Sequence, residues 1–324
     1  MGRLCLIDAY SQIYRVFYAI RMLNNPAGEP VNALYGMARL FLQLDEIVPS
    51  EWGAIVFDLG KCVRRTALLP DYKAQRPPMP AELRAQTAAI RQWAQAFGWT
   101  IVQREGFEAD DLICGLVGQR GDAQAVILSS DKDLHQLVQG EAVVMLAKGP
   151  TPKEPWVTLG EEAATRKFGL PPRQLGDYLA LIGDNVDNIA GVAGVGPKTA
   201  IKLLEQFGDL DHLLASLEQV DAAKVRQALA DSAEQLRRNR SLVQLDPVLP
   251  EGWKGLDGIR RRTPDWALLD ELAAAQGFAS IRAAIQKRQV LRRDVLRRDA
   301  CVADKSVAEQ GSPPPPPPVQ GMLF

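Results

Sequence analysis

Histidine and cysteine are scarce in this chain, and their scarcity excludes several kinds of catalytic site. The only histidines in 324 residues are His135 and His212, so a histidine base or a Ser-His-Asp triad has few candidates. The four cysteines form no close pair in sequence, which argues against a zinc site and against a disulfide framework. Chemistry must therefore come from Asp, Glu, Lys, Arg or a bound metal.

Long apolar runs and an excess of charge of one sign are also missing. No segment is apolar over the length that spans a bilayer, and no hydrophobic leader follows Met1. The net charge is −1, so the overall balance gives no sign of nucleic acid binding. Hydrophobic residues make up 47% of the chain, enough for a substantial core. We predict a cytoplasmic protein that does not bind membranes.

Short apolar runs with the length of buried parallel strands alternate with helical patterns in the first half of the chain. This alternation predicts an α/β domain with a mainly parallel central sheet flanked by helices. Pro80 and Gly98 have the positions of a helix start and a helix end. The predicted strands are Leu4–Ile7, Ala54–Phe57, Thr100–Val102, Ala125–Leu128 and Val143–Leu146.

Strand patterns fade after about Trp156, and three regions are predicted. Residues 1–165 form the α/β core, residues 166–288 form a helical region, and residues 289–324 form a disordered tail. Within the tail, Pro313–Pro318 would make a stiff spacer of roughly 19 Å if polyproline II. The charged stretch 288–305 is a disordered or helical basic segment, to which we assign no function.

Carboxylates follow three of the predicted strands directly. Asp8 and Asp58 end the first two strands, and Asp131 with Asp133 follows Ala125–Leu128. Because ligands of open parallel sheets bind beyond the carboxyl ends of the strands, these acids are aimed at one edge. Two further groups lie at a predicted helix start and in a turn; they are Glu108, Asp110 and Asp111, and then Asp184 and Asp187.

Such a concentration of negative charge needs compensation. Two carboxylates ~5 Å apart cost roughly 3 kcal/mol at an effective dielectric constant of ~20. With no His or Cys ligands near, hard cations that prefer oxygen, Mg²⁺ or Mn²⁺, are indicated. Two such ions ~4 Å apart can activate water and stabilise the leaving oxygen of a phosphodiester. Each acid taken alone also fits a helix cap or a solvated turn, and only their coincidence favours the metal site.

These motifs, in this order, resemble the bacterial 5′–3′ exonuclease/flap endonuclease family, whose best-known form is the 5′-nuclease domain of DNA polymerase I. The resemblance covers roughly residues 3–287. It rests on Leu6-Ile7-Asp8, Val56-Phe57-Asp58, the segment Tyr72–Pro80, Glu108-Ala109-Asp110-Asp111, Asp131-Lys132-Asp133-Leu134 and Gly183–Ile189.

The resemblance implies a role for each residue. Lys73 and Arg76, at the base of a mobile helical arch at about 60–90, would grip the scissile phosphate. Arg15, Arg65 and Tyr72 would steer the 5′ single strand. The first metal cluster would contain Asp8, Asp58, Glu108, Asp110 and Asp111, and the second Asp131, Asp133, Asp184 and Asp187.

The loop that follows Asp187 resembles the family's helix–two-turns–helix element, which holds duplex DNA with a bound K⁺. Its glycines would let backbone amides approach a phosphate, and the next helix starts at Pro197. The residues assigned to DNA binding are Gly191, Gly194, Gly196, Lys198 and Thr199. Ala9, Tyr10 and Ser130 depart from the family pattern, although none of them replaces a metal ligand.

The last five residues, Gln320 to Phe324, resemble the peptide by which bacterial replication proteins bind the sliding clamp. Gln320, Leu323 and Phe324 match that peptide, whereas Gly321 departs from the usual leucine. Leu323 and Phe324 could anchor in an apolar pocket. The clamp is therefore a predicted partner, and a chance apolar terminus is the alternative.

We predict a monomeric, two-metal 5′–3′ exonuclease/flap endonuclease that cleaves DNA with 5′ ends or flaps, RNA primers included, in replication and repair. Two alternatives remain. A non-catalytic flap-binding module would require lost ligands, and all nine carboxylates are present. A PIN-type ribonuclease would usually lack the glycine loop.

Overall fold

The computed structural model describes residues 2–151 and 154–291, and gives no side-chain detail for residue 150. The chain divides into two compact units, with the boundary between Asp265 and Trp266. The predicted tail of residues 289–324 lies almost wholly outside the described residues, and so do Gln320, Leu323 and Phe324. No helix among the described residues combines the length and the apolar character needed to cross a membrane.

The first unit is built on a six-stranded sheet in the order β3-β2-β1-β4-β5-β6. All neighbouring strands pair in parallel except β6, which pairs antiparallel to β5. The predicted α/β class with a mainly parallel sheet is confirmed. The strands are β1 Arg3–Asp8, β2 Trp52–Val56, β3 Thr100–Val102, β4 Gln124–Leu128, β5 Val143–Thr151 and β6 Glu154–Leu159.

All five predicted strands are present, and β6 was missed. That strand is partly exposed and contains Pro155 near its start, so it has neither the continuous apolar run nor the regular alternation of a buried strand. Proline is tolerated because β6 lies at the sheet edge, where one row of backbone amides makes no ladder hydrogen bonds.

Helices cover the sheet and form most of the chain after residue 160. Four 3₁₀ turns, at Asp133–Leu137, Pro172–Gln174, Leu217–Gln219 and Leu256–Ile259, connect them. A short antiparallel ribbon pairs β7 (Gly183–Asp184) with β8 (Ile189–Ala190). The helices of the first unit are α1 Ala9–Ala19, α2 Asn32–Ile47, α3 Val63–Leu68, α4 Ala81–Ala96, α5 Ala109–Gly118, α6 Glu161–Phe168, α7 Leu175–Ile182, α8 Pro197–Phe207, α9 Leu210–Ala215, α10 Ala223–Asp231 and α11 Ala233–Val243.

The second unit, as far as it is described, consists of α12 (Trp266–Ala275) and a helical segment at residues 279–291. Arg282 of this segment pairs with Asp270 of α12, Nε to Oδ1, at 3.1 Å. The predicted boundary between a helical region and a tail at residue 288 therefore falls inside a helix.

The central strand β1 is buried on both faces, which explains its uninterrupted apolar sequence. Leu4 and Leu6 belong to a core cluster with Leu112 and Leu116 of α5. Cys5 and Ile7 alternate with them, so they point to the opposite face, and both are fully buried. This double cover fixes the sheet, and with it the positions of the acids at its carboxyl edge.

The helical region after residue 170 has its own core, made by α7, α8, α9, α10 and α11. The glycine loop is anchored to this core by Val192 and Val195, both of which are buried. A side chain at Gly191 would lie 2.2 Å from the carbonyl oxygen of Ile182, so only glycine fits there. The loop thus passes close to the end of α7, directly after Asp184 and Asp187.

Candidate active site: an acidic cleft at the carboxyl edge of the sheet

Asp8 lies where β1 ends and α1 begins, and the local structure holds it in place. One carboxylate oxygen caps α1 by accepting from the Ser11 amide at 3.2 Å. The other accepts from the Ser129 hydroxyl at 2.6 Å. The Asp131 amide donates to the same Ser129 oxygen at 2.9 Å. Ser129 therefore connects the ends of β1 and β4 and places Asp8 beside Asp131.

Asp58 and Asp110 join this group from the other side. Asp58 accepts from the Ala109 amide at 2.8 Å, which ties the end of β2 to the start of α5. Burial raises the pKa of Asp110 well above its usual range, and the charges of Asp131, Asp8 and Asp58 raise it further. Burial likewise raises the pKa of Asp58, with a contribution from Glu108. The predicted convergence of chain-distant carboxylates is therefore observed.

The pKa of Asp8 shows that burial and neighbouring carboxylates disfavour a negative charge on this residue. Burial is the main cause that raises it, to about 7, and the charges of Asp58 and Asp131 add to the effect. The hydrogen bonds from Ser129 and Ser11 act in the opposite direction without reversing the shift. A negative charge on Asp8 needs a nearby cation that the protein's own side chains do not supply.

A second group is formed by Asp133, Asp184 and Asp187, whose carboxylate oxygens lie within 4.8 Å of one another. Lys132 donates to Asp184 at 2.6 Å. Burial acts to raise the pKa of Asp184, but the hydrogen bond and charge of Lys132, with backbone amides, lower it overall. Burial raises the pKa of Asp133 to about 7, helped by the charge of Asp131. Oδ1 of Asp133 is buried and accepts no hydrogen bond from a described residue, although Nζ of Lys132 lies 3.5 Å from it.

Three residues of the Tyr72–Pro80 segment reach these carboxylates. Lys73 lies 2.6 Å from Glu108 and 3.8 Å from Asp187, and Arg76 lies 2.5 Å from Asp187. The Tyr72 hydroxyl is 3.1 Å from each of Glu108 and Asp187. Lys73 has a left-handed backbone with φ of 58°. The segment thus bridges the start of α5 and the β7–β8 turn.

Arg65 and Asp111 lie in a buried ion pair and do not line the cleft. Arg65 is 2% exposed and Asp111 is fully buried, and two hydrogen bonds of 2.6 and 2.7 Å join them. Arg65 also contacts Glu108 at 2.9 Å. Cys62, Glu108 and Asp111 are close enough to hold a cation, but the Arg65 guanidinium contacts all three. This placement disagrees with a strand-steering role for Arg65 and with a ligand role for Asp111, since the pair is closed off from solvent.

The other predicted ligands, apart from Glu108, line a single cleft of about 620 Å³. Seven aspartates line it against four cations, which leaves an excess of negative charge. The donors are all hard oxygens, so the acidic cleft fits divalent cations of the Mg²⁺ type. The seven aspartates are Asp8, Asp58, Asp110, Asp131, Asp133, Asp184 and Asp187, and the four cations are Arg15, Lys73, Arg76 and Lys132.

Three tyrosines and a lysine of the acidic cleft were not predicted as site residues from the sequence. Tyr10, Tyr14 and Tyr18 form a row along α1, and all three line the acidic cleft. Tyr18 is 72% exposed, and its ring lies 6.3 Å from that of Tyr14. Their spacing of four residues is the available signal. Lys132 gave no such signal, because its partner Asp184 is far away in sequence.

The glycine-loop residues are not among those that line the acidic cleft. Lys198 is exposed and Thr199 half-buried in the first turn of α8, which Gly196 precedes as its N-cap. Gly194 has φ of 81° with open space beside it. The loop therefore presents its backbone and the start of an 11-residue helix to solvent.

The fold and the acidic cleft define a class of protein: an α/β enzyme scaffold whose carboxylates are arranged for divalent metals beside a helical region. The chain belongs to the 5′–3′ exonuclease family, a family of nucleases. Residues 3–169 match its N-terminal resolvase-like domain, and residues 170–266 match its C-terminal SAM fold. The predicted family is confirmed.

Three proteins are similar to this chain, two in sequence and one in fold. The chain is 35% identical over 268 residues to a 5′–3′ exonuclease of Aquifex aeolicus, covering 82% of this chain and 89% of that one. It is 34% identical over 266 residues to the thermostable DNA polymerase I of Thermus thermophilus, covering 82% of this chain and only 31% of the polymerase.

The third is a solved structure. The fold resembles that of the flap endonuclease of bacteriophage T5, crystallised with DNA and metal ions, with a TM-score of 0.60, 21% identity, and coverage of 88% of this chain and 97% of that one.

Proposed function

We propose that this protein is a divalent-metal-dependent 5′–3′ exonuclease and flap endonuclease. The observation that carries the proposal is the acidic cleft, in which seven aspartates from distant parts of the chain face four cations. Family membership supports a nuclease, and the composition of the acidic cleft supports hydrolysis that depends on metal ions. The substrates we propose are DNA with 5′ ends or flaps, RNA primers included.

The carboxylates divide into two candidate metal positions. Asp8, Asp58, Asp110 and Asp131 would hold one Mg²⁺ or Mn²⁺. Besides burial, the charges of Asp58 and Asp131 raise the pKa of Asp8, and those of Asp8, Asp58 and Asp131 raise the pKa of Asp110. Asp133, Asp184 and Asp187 would hold the second. When bound, two such ions activate water and stabilise the leaving oxygen of a phosphodiester. Glu108 and Asp111 would act indirectly, because neither lines the acidic cleft and Lys73 and Arg65 bind their oxygens.

Lys73 and Arg76 would bind the substrate phosphate. Both already lie in the acidic cleft, where Glu108 and Asp187 hold their charged ends. Charge-assisted hydrogen bonds from such positioned donors stabilise the extra negative charge of a phosphoryl transition state. Arg15 lines the same cleft, so it can contact the 5′ strand. The Tyr72 hydroxyl would hold the carboxylates of Glu108 and Asp187 in place for Lys73 and Arg76.

The helical region would hold the duplex. The backbone amides of Gly191, Gly194 and Gly196, with Lys198 and Thr199, would bind phosphates without reading sequence, and a K⁺ ion would share this loop. This division of labour would place the duplex on the glycine loop and the 5′ end in the acidic cleft.

Replication and repair are the processes we propose for this activity, in the cytoplasm and as a monomer. Recruitment by the sliding clamp through Gln320, Leu323 and Phe324 completes the proposal. A peptide of the last residues should bind the host's clamp and lose binding when Leu323 and Phe324 become Ala. Absence of binding by the unaltered peptide removes this part alone.

The central experiment is cleavage of an end-labelled 5′-flap duplex in Mg²⁺ by the wild type and by Asp131→Asn and Asp184→Asn. We expect each variant to lose at least about a hundredfold in rate while it still binds the flap. Asp221→Asn, an exposed aspartate outside the acidic cleft, is the matched control and should cleave normally.

Three outcomes contradict the proposal. Binding without any cleavage by the wild type would identify a flap-binding module. Preferential cleavage of single-stranded RNA would identify a ribonuclease of the PIN type. A rate unchanged in both variants would show that the carboxylates are not the catalytic ligands.

A further inference from the structure

A second, smaller cavity adjoins the acidic cleft and has the opposite charge. Its volume is about 260 Å³, and Arg15 and Ser130 belong to the walls of both cavities. We call it the cationic pocket, after Arg15, Lys148 and Lys167, which line it together with Trp156. None of the described residues that line it is an aspartate or a glutamate.

The three cations come from three separate elements and none is paired with a described carboxylate. Arg15 of α1 donates to the Gln12 side chain at 2.9 Å. Lys148 of β5 lies 3.8 Å from the ring centroid of Trp156, and the Arg15 guanidinium is 5.7 Å from the same ring. Cations that lack counter-ions in a partly enclosed pocket repel one another unless an anion enters.

Lys167 of α6 is held by a histidine in place of an acid. His135 is buried, and its Nδ1 lies 3.2 Å from the carbonyl oxygen of Lys132, to which it donates. Its Nε2 is therefore the acceptor and takes a hydrogen bond from Lys167 at 3.3 Å. The ammonium group is thus positioned without being neutralised.

The pKa values agree with an uncompensated positive field. Burial lowers the pKa of Lys148, and the charges of Arg15 and Arg39 lower it further. Burial alone lowers the pKa of Lys167 and of Arg15. In the acidic cleft, by contrast, Lys73 and Lys132 have raised pKa values: burial acts against them, but neighbouring carboxylates more than offset it.

We propose that the cationic pocket binds a phosphate group of the substrate strand, next to the phosphate that is cleaved. The inference rests on the proposed function, because that function supplies a nucleic acid strand in the adjoining cleft. Arg15 and the Ser130 segment would lie between the two phosphates. The phosphate is either the 5′-terminal one or an internal one of the strand.

The test measures binding, so that it does not depend on catalysis. The Kd of a fluorescent 5′-flap duplex is determined by anisotropy in EDTA over a series of KCl concentrations. The variants are Lys148→Ala, Lys167→Ala, the double variant, Lys148→Arg as conservative rescue, and Lys254→Ala as an exposed control. Thermal melts verify folding, and Lys148→Gln replaces Lys148→Ala if the latter does not fold.

We expect each single alanine variant to raise Kd about tenfold, as for loss of one hydrogen bond to a charged group. The double variant should lower the slope of log Kd against log [KCl] by about 0.7, the value for one single-strand phosphate contact. Lys148→Arg should restore most of the affinity, and Lys254→Ala should match the wild type.

Duplexes with a 5′-phosphate and with a 5′-hydroxyl separate the two sources of phosphate. If the wild type prefers the 5′-phosphate duplex and the double variant binds both duplexes with the same Kd, the pocket binds the terminal phosphate. If the double variant loses the same factor in affinity for both duplexes, the pocket binds an internal phosphate. The proposal is overturned if the folded double variant keeps the wild-type salt slope, whatever its Kd. If the double variant has a lower salt slope but the wild type cleaves no flap, the cationic pocket binds phosphate and the proposed nuclease function is wrong.

Discussion

At the scale of single residues, the adjacent aspartates Asp110 and Asp111 lie in opposite electrostatic surroundings. Asp110 faces the acidic cleft, where burial raises its pKa and the surrounding carboxylates raise it further. Asp111 points away from the cleft and is neutralised by Arg65 through two hydrogen bonds. The helix turns by about 100° per residue, so neighbours at its start face different surroundings. Their substitution should therefore change stability in opposite directions.

We expect Asp110→Asn to raise the free energy of unfolding in EDTA at pH 8 by on the order of 1–3 kcal/mol, because it removes a repelled charge. The same variant should lose cleavage in Mg²⁺. Asp111→Asn should lower the free energy of unfolding by about 3–5 kcal/mol, because it leaves Arg65 buried without its full partner. Urea unfolding measures both. Equal effects of the two substitutions would contradict the assignment of Asp111 to a structural ion pair.

At the scale of elements, α5 is the helix on which the site depends. Its first turn carries Asp110 and Asp111, and its body packs against the sheet through Leu112 and Leu116. The chain after α11 crosses it at Gly115, where a Cβ would lie 1.9 Å from the carbonyl oxygen of Val248. Close approach of two backbones, rather than helix propensity, therefore requires glycine at this position.

Gly115→Ala should lower the free energy of unfolding by roughly 1–3 kcal/mol or more, because the segment around Val248 must move. Gly118→Ala in the same helix is the matched control: it is exposed and has no atom near its Cβ position. That control should stabilise the protein by about 0.4–1 kcal/mol through helix propensity. Chemical denaturation of both variants gives the comparison, and a neutral or stabilising Gly115→Ala would show that the crossing is loose.

At the scale of the whole molecule, a net charge of −1 conceals a strong separation of charge. Seven aspartates line the acidic cleft, and cations line the pocket beside it. The fold without metal therefore carries an electrostatic cost at the carboxyl edge of its sheet. That cost depends on pH, because the carboxylates can take up protons when no metal is present.

The pH dependence has a definite sign. Asp8 titrates at about 7 in the folded state against 3.8 ordinarily, so the folded state binds the extra proton between these values. Because of this proton, the free energy of unfolding in EDTA should fall from pH 4 to 7, by on the order of 4 kcal/mol at most. Mg²⁺ should raise the Tm more at pH 8 than at pH 5.5, since protons compete with the metal.

Asp8→Asn isolates this contribution, because asparagine can still cap α1 and contact Ser129. The wild type should lose stability relative to this variant as pH rises through the same window in EDTA. The variant keeps the other titratable groups, so the difference in stability between the two proteins cancels their contributions. One of these groups is buried His135, whose lowered pKa makes stability rise with pH. A difference independent of pH would show that Asp8 is already charged in the metal-free fold.

The carboxyl-edge aspartates could be predicted because strand periodicity is local. Asp8, Asp58 and Asp131 each follow an apolar run, and parallel pairing of β1 with β2 and β4 brings those ends together. The edge strand β6 was missed because it is only partly buried. The buried pairing of Arg65 with Asp111 was missed because the partners are 46 residues apart and nothing local marks them.

The sequence by itself determined the class of fold, the family and the set of acids, because these depend on apolar runs, turn residues and motifs that a single stretch of chain contains. Tertiary structure alone decided which acids remain free for a metal, which cations neutralise them and where unpaired cations collect. The physical reason is that a charge is defined by its neighbours in space. Burial and ion pairing, unlike periodicity, arise only when distant segments meet.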